Sequence, residues 1–471
     1  MDAMKRESIL AALQNIVGSS HVLSDPALYA GALVEPRGLY HGKALALVRP
    51  GSTKEVASVA AFCNDARIGM APQGGNTGLV GGQTPNMSGD EIIVSTQRLR
   101  AIRDVDLDGD VMICEAGVTL AEARAAALGA DRLFPLSLAS EGTCTIGGNI
   151  STNAGGVNVI AYGNTRDLVT GLEAVLADGR IVNALSKLRK DNTGYDVKSL
   201  FIGAEGTLGI VTAASLRLFA NPRARATAFV ALKSPEDALK LLRLARERLG
   251  AAITSFELIG RNAYDIALRH GGARAPLDGA HDWYVVIEAS SQTPDGFDEA
   301  FAGALESALD KGVIEDASIA ASLEQRAAFW QLRECLSEAQ SKEGGSIKHD
   351  VSVAVGLVPA LIREATPAVE AFAPGARVVA FGHLGDGNIH FNVSQPIGAD
   401  KQAFLDRWNG MNEVVHAIVA RLGGSYSAEH GIGQLKRELL ARWKDPVSLA
   451  VMRQIKAALD PNGVMNPGKV L

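Results

Sequence analysis

The chain has 471 residues, of which 47% are hydrophobic and 21% charged. That is an ordinary globular composition, long enough for two or three domains with full cores. The net charge of −6 gives no general case for nucleic-acid binding, no apolar run reaches membrane-spanning length, and the N-terminus lacks a signal-peptide core, so a cytoplasmic protein is expected. Cys63, Cys114, Cys144 and Cys335 show no metal or redox spacing, which fits a reduced compartment.

The opening "MDAMKRESILAALQNIV" reads as a short amphipathic helix. Short β-like runs follow: "ALALV", "GMA", "EIIVS", "DVMICEAGV", "GLEAVLADGRIV" and "LGIVTAASLRL". Helical stretches such as "TKEVASVAAFCNDA" and "TLAEARAAAL" intervene. Glycines cluster at 74–82, 142–156 and 203–209. Residues 1–220 therefore read as an α+β domain whose loops carry unusual backbone.

"NPRARA" (Asn221–Ala226) looks like a domain joint. Beyond it, strands and helices alternate: "ATAFVAL", "SPEDALKLLRLARERLG", "AITSFELI", "DWYVVIEASS" and "FDEAFAGALESALDKG". The pattern predicts an α+β domain over 221–400, with helices on one face of an antiparallel sheet. "SLEQRAAFWQLRECLSEAQS" reads as one long helix and "SIKHDVSVAV" as one strand. Residues 401–471 are predicted to be mostly helical, interrupted by "GGSYSAEHGIG".

Two stretches carry chemistry. In "PQGGNTGLVGG" (Pro72–Gly82), glycines let backbone N–H groups converge on an anion, with Asn76 and Thr77 as added donors. The loop is neither a Rossmann fingerprint nor a P-loop, and the plain alternative is a glycine-rich turn at a sheet corner. In "FGHLGDGNIHFNV", Asp386-Gly387 predicts a two-residue hairpin turn with His383 opposite His390 and Asn392 on their face. Such a histidine pair can hold a metal or simply line a solvated sheet; the residues alone leave both open.

"PQGGNTGLVGG", "EGTCTIGGNISTNAGG", "FIGAEGTLGIVT", "GHLGDGNIHFNV", "SAEHGIG" and "NPGKVL" occur in this order along the chain. Together they resemble the flavin-dependent D-2-hydroxyacid dehydrogenases of the vanillyl-alcohol oxidase superfamily. Members acting on D-2-hydroxyglutarate are the nearest in likeness. Those acting on D-lactate, and the glycolate oxidase flavoprotein subunit, are further off. The resemblance implies a PCMH-type FAD-binding domain over 1–220, a substrate domain over 221–400, and a C-terminal segment, 401–471, that completes the active site.

By the same resemblance, Gly74, Gly75, Asn76, Thr77 and Gly78 cradle the FAD pyrophosphate. Pro135, Gly142, Thr145, Gly148, Asn153, Gly155, Ile210 and Asn466 also border FAD. Covalent relatives place a histidine in the first loop; Asn76-Thr77 replaces it here, which implies non-covalent FAD. His383, His390 and Glu429 are implied ligands of a Zn²⁺ ion, although Mn²⁺, Co²⁺ or Fe²⁺ suits the donor set too. His430 is the implied base for the substrate hydroxyl, with hydride passing to flavin N5.

Arg333, Ser337, Lys348 and Asn392 are the implied substrate-binding residues. Ser337 is expected one turn beyond Arg333 on the same face, where hydroxyglutarate-specific members tend to carry threonine. Two cations beside a metal suggest a dicarboxylate, hence oxidation of D-2-hydroxyglutarate to 2-oxoglutarate. D-lactate, D-malate or glycolate is the alternative substrate, and a non-catalytic metal- or nucleotide-binding protein the alternative class. No nicotinamide motif is present, so an electron-transfer flavoprotein or a quinone is the expected acceptor. The resemblance also implies a homodimer.

Overall fold

In a computed structural model, which describes residues 3–471, Ser52 accepts the backbone N–H of Glu55 and starts the helix Thr53–Ala66 where the sequence predicts it. Arg67 ends the helix in a left-handed conformation, φ 56°. The helix buries Val56, Val59, Ala60 and Cys63 against Met70, Ile92 and Val94. Beneath it lies a four-stranded sheet in the order Val22–Leu23, Ala46–Val48, Ile92–Ser95, Met70–Gln73. The last three strands are parallel, as a helical crossover requires. A five-stranded antiparallel sheet follows, in the order Ile102–Asp106, Val111–Glu115, Ile210–Arg217, Val169–Val175, Ile181–Ala184. These sheets belong to one unit, made of the chain up to Gly155, then Gly163–Asn221 and Glu429–Leu471.

The second unit comprises Gly156–Tyr162 and Pro222–Ala428. Its eight-stranded sheet runs Asp316–Ile319, Ala224–Leu232, Trp283–Ser291, Ile253–Gly260, Arg377–Gly382, Asn388–Ser394 and Ser346–Ile347. Asp350–Ser352 also pairs with Asn388–Ser394. All the pairings are antiparallel.

Helices cover both faces of this sheet rather than the one face predicted. Val230, Leu258, Val285 and Ile287 pack with Leu241, Phe301 and Leu361 on one side. Phe229, Ile259, Tyr284, Val286 and Phe381 pack with Tyr264, Phe329 and Leu336 on the other. Strand residues alternate between faces, so nearly unbroken apolar runs such as "AFVAL" need a core on each side. The second core comes partly from Arg261–His270, a helix whose N-cap, Gly260, offers no side-chain capping signal.

Three other expectations change. The long helix turns at Cys335 into Leu323–Glu334 and Leu336–Ser341. The single strand is two short ones, Ser346–Ile347 and Asp350–Ser352. The residues from 401 onward are split between the units. Trp408–Arg421 buries Met411, Val415 and Val419 in the second unit's core, whereas Leu440, Leu449 and Val470 pack together in the first. Helical periodicity does not say which core a helix will join. Among the described residues, no helix is long and apolar enough to cross a membrane.

Candidate active site

In the first unit, the strand Met70–Gln73 delivers its glycine loop to the wall of a cavity of about 420 Å³. Gly74, Gly75, Asn76, Thr77 and Gly78 line it, with Thr145, Gly148, Gly155 and Ile210. Among the described residues, the backbone N–H groups of residues 74–78 donate to no backbone carbonyl. A Cβ on Gly74 would lie 2.3 Å from Thr145 Oγ1, and one on Gly75 2.0 Å from the Thr143 carbonyl. Both glycines are thus required by the close approach of two loops. Among the described residues, the buried Thr96 hydroxyl and Asn76 Oδ1 at this site have no hydrogen-bond partner. Unspent donors and acceptors around a concave wall fit a bound dinucleotide.

The Asn76 side chain does a different job from the one expected. Its amide N–H groups donate to the Gly31 and Val34 carbonyls, so they tether the loop and leave the backbone to meet a ligand. Pro135, Gly142, Asn153 and Asn466 are not part of the cavity wall. Pro135 is buried and Gly142 is exposed with nothing near its Cβ direction. Asn153 caps the helix Ile146–Thr152 at φ 50° and accepts the Arg166 N–H. The Asn466 amide donates to the Gly82 and Glu205 carbonyls and braces the cradle from behind.

Glu429 and His430 line the same cavity. So does Glu205, which the sequence reading left unassigned; its signal was a lone carboxylate in the glycine-rich "GAEGTLG". Its carboxylate accepts the Ile432 N–H at 2.6 Å and the Gly433 N–H at 2.8 Å. Burial pushes its pKa up, while the two N–H groups and the Lys436 charge pull it down; the net shift is upward.

In the second unit, the hairpin differs from the one predicted. His390 pairs with Phe381, and the strands end at Gly382 and resume at Asn388. The connection is five residues long, and within it only Gly387 has positive φ, 90°. A type I′ turn needs positive φ at both loop residues, which Asp386 does not adopt. Instead Asp386 accepts the Asn388 N–H, and the Asn388 amide donates to Asp350 Oδ1 and the Val351 carbonyl. The neighbouring strand therefore fixes where the ladder begins. His383 and His390 nonetheless meet, ring centroids 5.5 Å apart at 74°.

Behind the imidazoles lies Glu257, a carboxylate inside the apolar strand Ile253–Gly260 and 1% exposed. Its oxygens meet His383 Nδ1 and Arg333 Nε, each at 2.8 Å. Burial acts to raise its pKa, but the His383 and Arg333 charges and hydrogen bonds outweigh it and hold the group at about 2. Arg333 is buried with its guanidinium 5.0 Å from the centroid of Phe381.

Ser337 does not share Arg333's surroundings. The helix turns at Cys335, leaving Ser337 exposed, and its carbonyl accepts from Lys348 Nζ at 3.4 Å. Asn392 is buried and donates to Gln340, which donates in turn to Ser394. Neither Glu257 nor Gln340 was singled out from sequence; a charged residue inside a strand's apolar run was the available signal for the first.

The geometry agrees with the comparisons. Residues 44–185 match the family described as "FAD binding domain", and 221–470 match "FAD linked oxidases, C-terminal domain". The mitochondrial D-2-hydroxyglutarate dehydrogenase of Bos taurus is 38% identical over 467 residues, covering 99% of this chain and 84% of that one. The mitochondrial enzyme of the same name from Arabidopsis thaliana is 37% identical over 459 residues, covering 97% and 80%. The structure of p-cresol methylhydroxylase with substrate bound superposes with a TM-score of 0.77 at 16% identity, covering 100% and 97%, which shows the shared fold. The expectation of a cytoplasmic protein is overturned by these relatives, both named mitochondrial. Composition and free thiols suit any reducing compartment and do not choose among them.

Proposed function

The chain belongs to the FAD-linked oxidase family and is an FAD-dependent D-2-hydroxyacid dehydrogenase, and from that premise we propose that it oxidises D-2-hydroxyglutarate to 2-oxoglutarate. The observation that carries the proposal is the Glu429-His430 pair in the wall of the cavity built by the glycine loops. FAD, held by the glycine loops, would supply the acceptor for the hydride lost from the substrate's C2. His430 takes the hydroxyl proton, so one proton and one hydride leave together and a ketone remains. Arg333 and Lys348 hold carboxylate charge, Arg333 through the nitrogens that Glu257 does not use.

We further propose that His383, His390 and Glu429 hold a divalent metal. The two imidazoles lie together, and the His383 Nδ1–Glu257 contact favours Nε2 as the ligating atom. Within the second unit, Asp350 pairs with His390 across the ladder. Two histidines and a carboxylate suit Zn²⁺, Mn²⁺, Co²⁺ or Fe²⁺. When bound, such an ion makes a 2-hydroxyl more acidic. An electron-transfer flavoprotein or a quinone would be the acceptor for the electrons.

Anaerobic stopped-flow reduction of the flavin tests the reading. D-2-hydroxyglutarate, L-2-hydroxyglutarate, D-malate and D-lactate are offered separately, before and after chelation. Fast bleaching by D-2-hydroxyglutarate, lost on chelation and restored by Zn²⁺ or Mn²⁺, is expected. Fast bleaching by D-lactate alone would reassign the substrate. Bleaching that survives complete metal removal would overturn the metal assignment.

A further inference from the structure

Glu257, His383 and Arg333 are 1%, 6% and 7% exposed, so a carboxylate and its two partners are all deeply buried. We propose that Glu257 is a positioning residue that joins the metal-holding histidine and the carboxylate-holding arginine into one rigid frame, and so sets which 2-hydroxy acid reacts. The inference rests on the metal reading given above.

The geometry divides the carboxylate cleanly. One oxygen accepts from His383 Nδ1 and the other from Arg333 Nε, both at 2.8 Å. The first bond fixes the imidazole's tautomer and ring plane, as partners of metal-bound histidines commonly do. The second bond fixes the guanidinium through its Nε alone. A second path closes the frame. The Arg333 guanidinium lies over Phe381, whose ring centroid is 5.1 Å from that of His390, its cross-strand partner. Arg333 is thus connected to both histidines, through Glu257 on one side and Phe381 on the other.

A pair kept only for stability is a poor explanation, because buried ion pairs contribute little net stability against an apolar replacement. A carboxylate that shares its two oxygens between a metal-holding imidazole and a carboxylate-holding guanidinium makes sense when their separation matters. Fixing that separation fixes the distance from the reacting carbon to a distal charge. The frame is therefore suited to a dicarboxylic 2-hydroxy acid, and its loss should relax the preference for one.

The test uses the full-length flavoprotein, with metal affinity as the readout that does not depend on turnover. Co²⁺ and Zn²⁺ binding is measured by equilibrium dialysis on the chelated holoprotein. Flavin reduction by D-2-hydroxyglutarate and D-lactate is measured in parallel. Glu257→Gln is expected to weaken metal binding about 10- to 100-fold and to lower the preference for D-2-hydroxyglutarate over D-lactate at least several-fold. If that variant fails to fold, Glu257→Met combined with Arg333→Met removes both buried charges, and its metal affinity should fall by the same factor. Metal affinity within twofold of wild type in the folded variant, with His390→Ala losing the metal, overturns the role of Glu257 and leaves the metal reading standing. Unchanged metal affinity in both His383→Ala and His390→Ala overturns the metal reading itself, and the frame with it.

Discussion

The carboxylate of Glu205 accepts the backbone N–H of Gly433 at 2.8 Å, joining residues 228 positions apart in sequence. Its other oxygen holds Ile432, so the loop two residues beyond His430 is fastened to the rim of the cavity that the glycine loops line. Glutamine keeps one acceptor but turns an amide donor toward the second N–H. Glu205→Gln is therefore expected to lower the rate of flavin reduction about 10- to 100-fold, since small displacements of a reacting group carry losses of that order. Flavin content should stay near stoichiometric. Stopped-flow rates and the flavin-to-protein absorbance ratio check both parts.

The two glycine clusters give opposite expectations at two positions. Gly75→Ala drives a methyl into the Thr143 carbonyl, 2.0 Å from the ideal Cβ site. Overpacking of this kind costs about 1–3 kcal/mol, and the separated loops should release FAD. Among the described residues, Gly142→Ala meets nothing within 4 Å and should retain it. The yellow absorbance of the purified proteins distinguishes them, and a colourless Gly142→Ala would support a place for that residue at the FAD site.

His430→Asn removes the proposed proton acceptor with little change of volume. The rate of flavin bleaching by D-2-hydroxyglutarate is expected to fall about 10²- to 10⁴-fold, with substrate affinity changed far less. A loss confined to substrate affinity, measured from the concentration dependence of the bleaching rate, would assign His430 to binding.

Glu343 makes an acid-stability prediction away from the site. Burial acts to raise its pKa, but hydrogen bonds from Arg377, His270 and Arg269 bring it down to about 2 from 4.5. A carboxyl whose folded pKa lies below its unfolded value stabilises the fold above the unfolded value and loses that contribution as pH falls toward the folded one. Glu343→Gln should therefore lower the unfolding midpoint by several degrees at pH 7. The difference from wild type should shrink steadily between pH 4.5 and about 2. Thermal melts across that range check it, and a difference independent of pH would assign the loss to packing.

The sequence by itself determined the elements that carry their own local signals. Ser52 and Glu55 announce the helix Thr53–Ala66, and Ser234, Pro235 and Asp237 announce Pro235–Leu249. Capping and periodicity act over a few residues, so they can be read without the fold. The glycine loop and the histidine pair were legible for the same reason: each is a short, contiguous motif. Tertiary structure decided the rest. The hairpin takes its register from Asp350 and Val351 on a neighbouring strand, not from the Asp-Gly pair in its own turn. Asn76 spends its amide on Gly31 and Val34, about forty residues away. Glu205 and Glu257 acquire roles only because partners more than 75 positions distant arrive at their oxygens. A buried charge is affordable only where such partners converge, and that convergence is a property of packing, which no local stretch of sequence encodes.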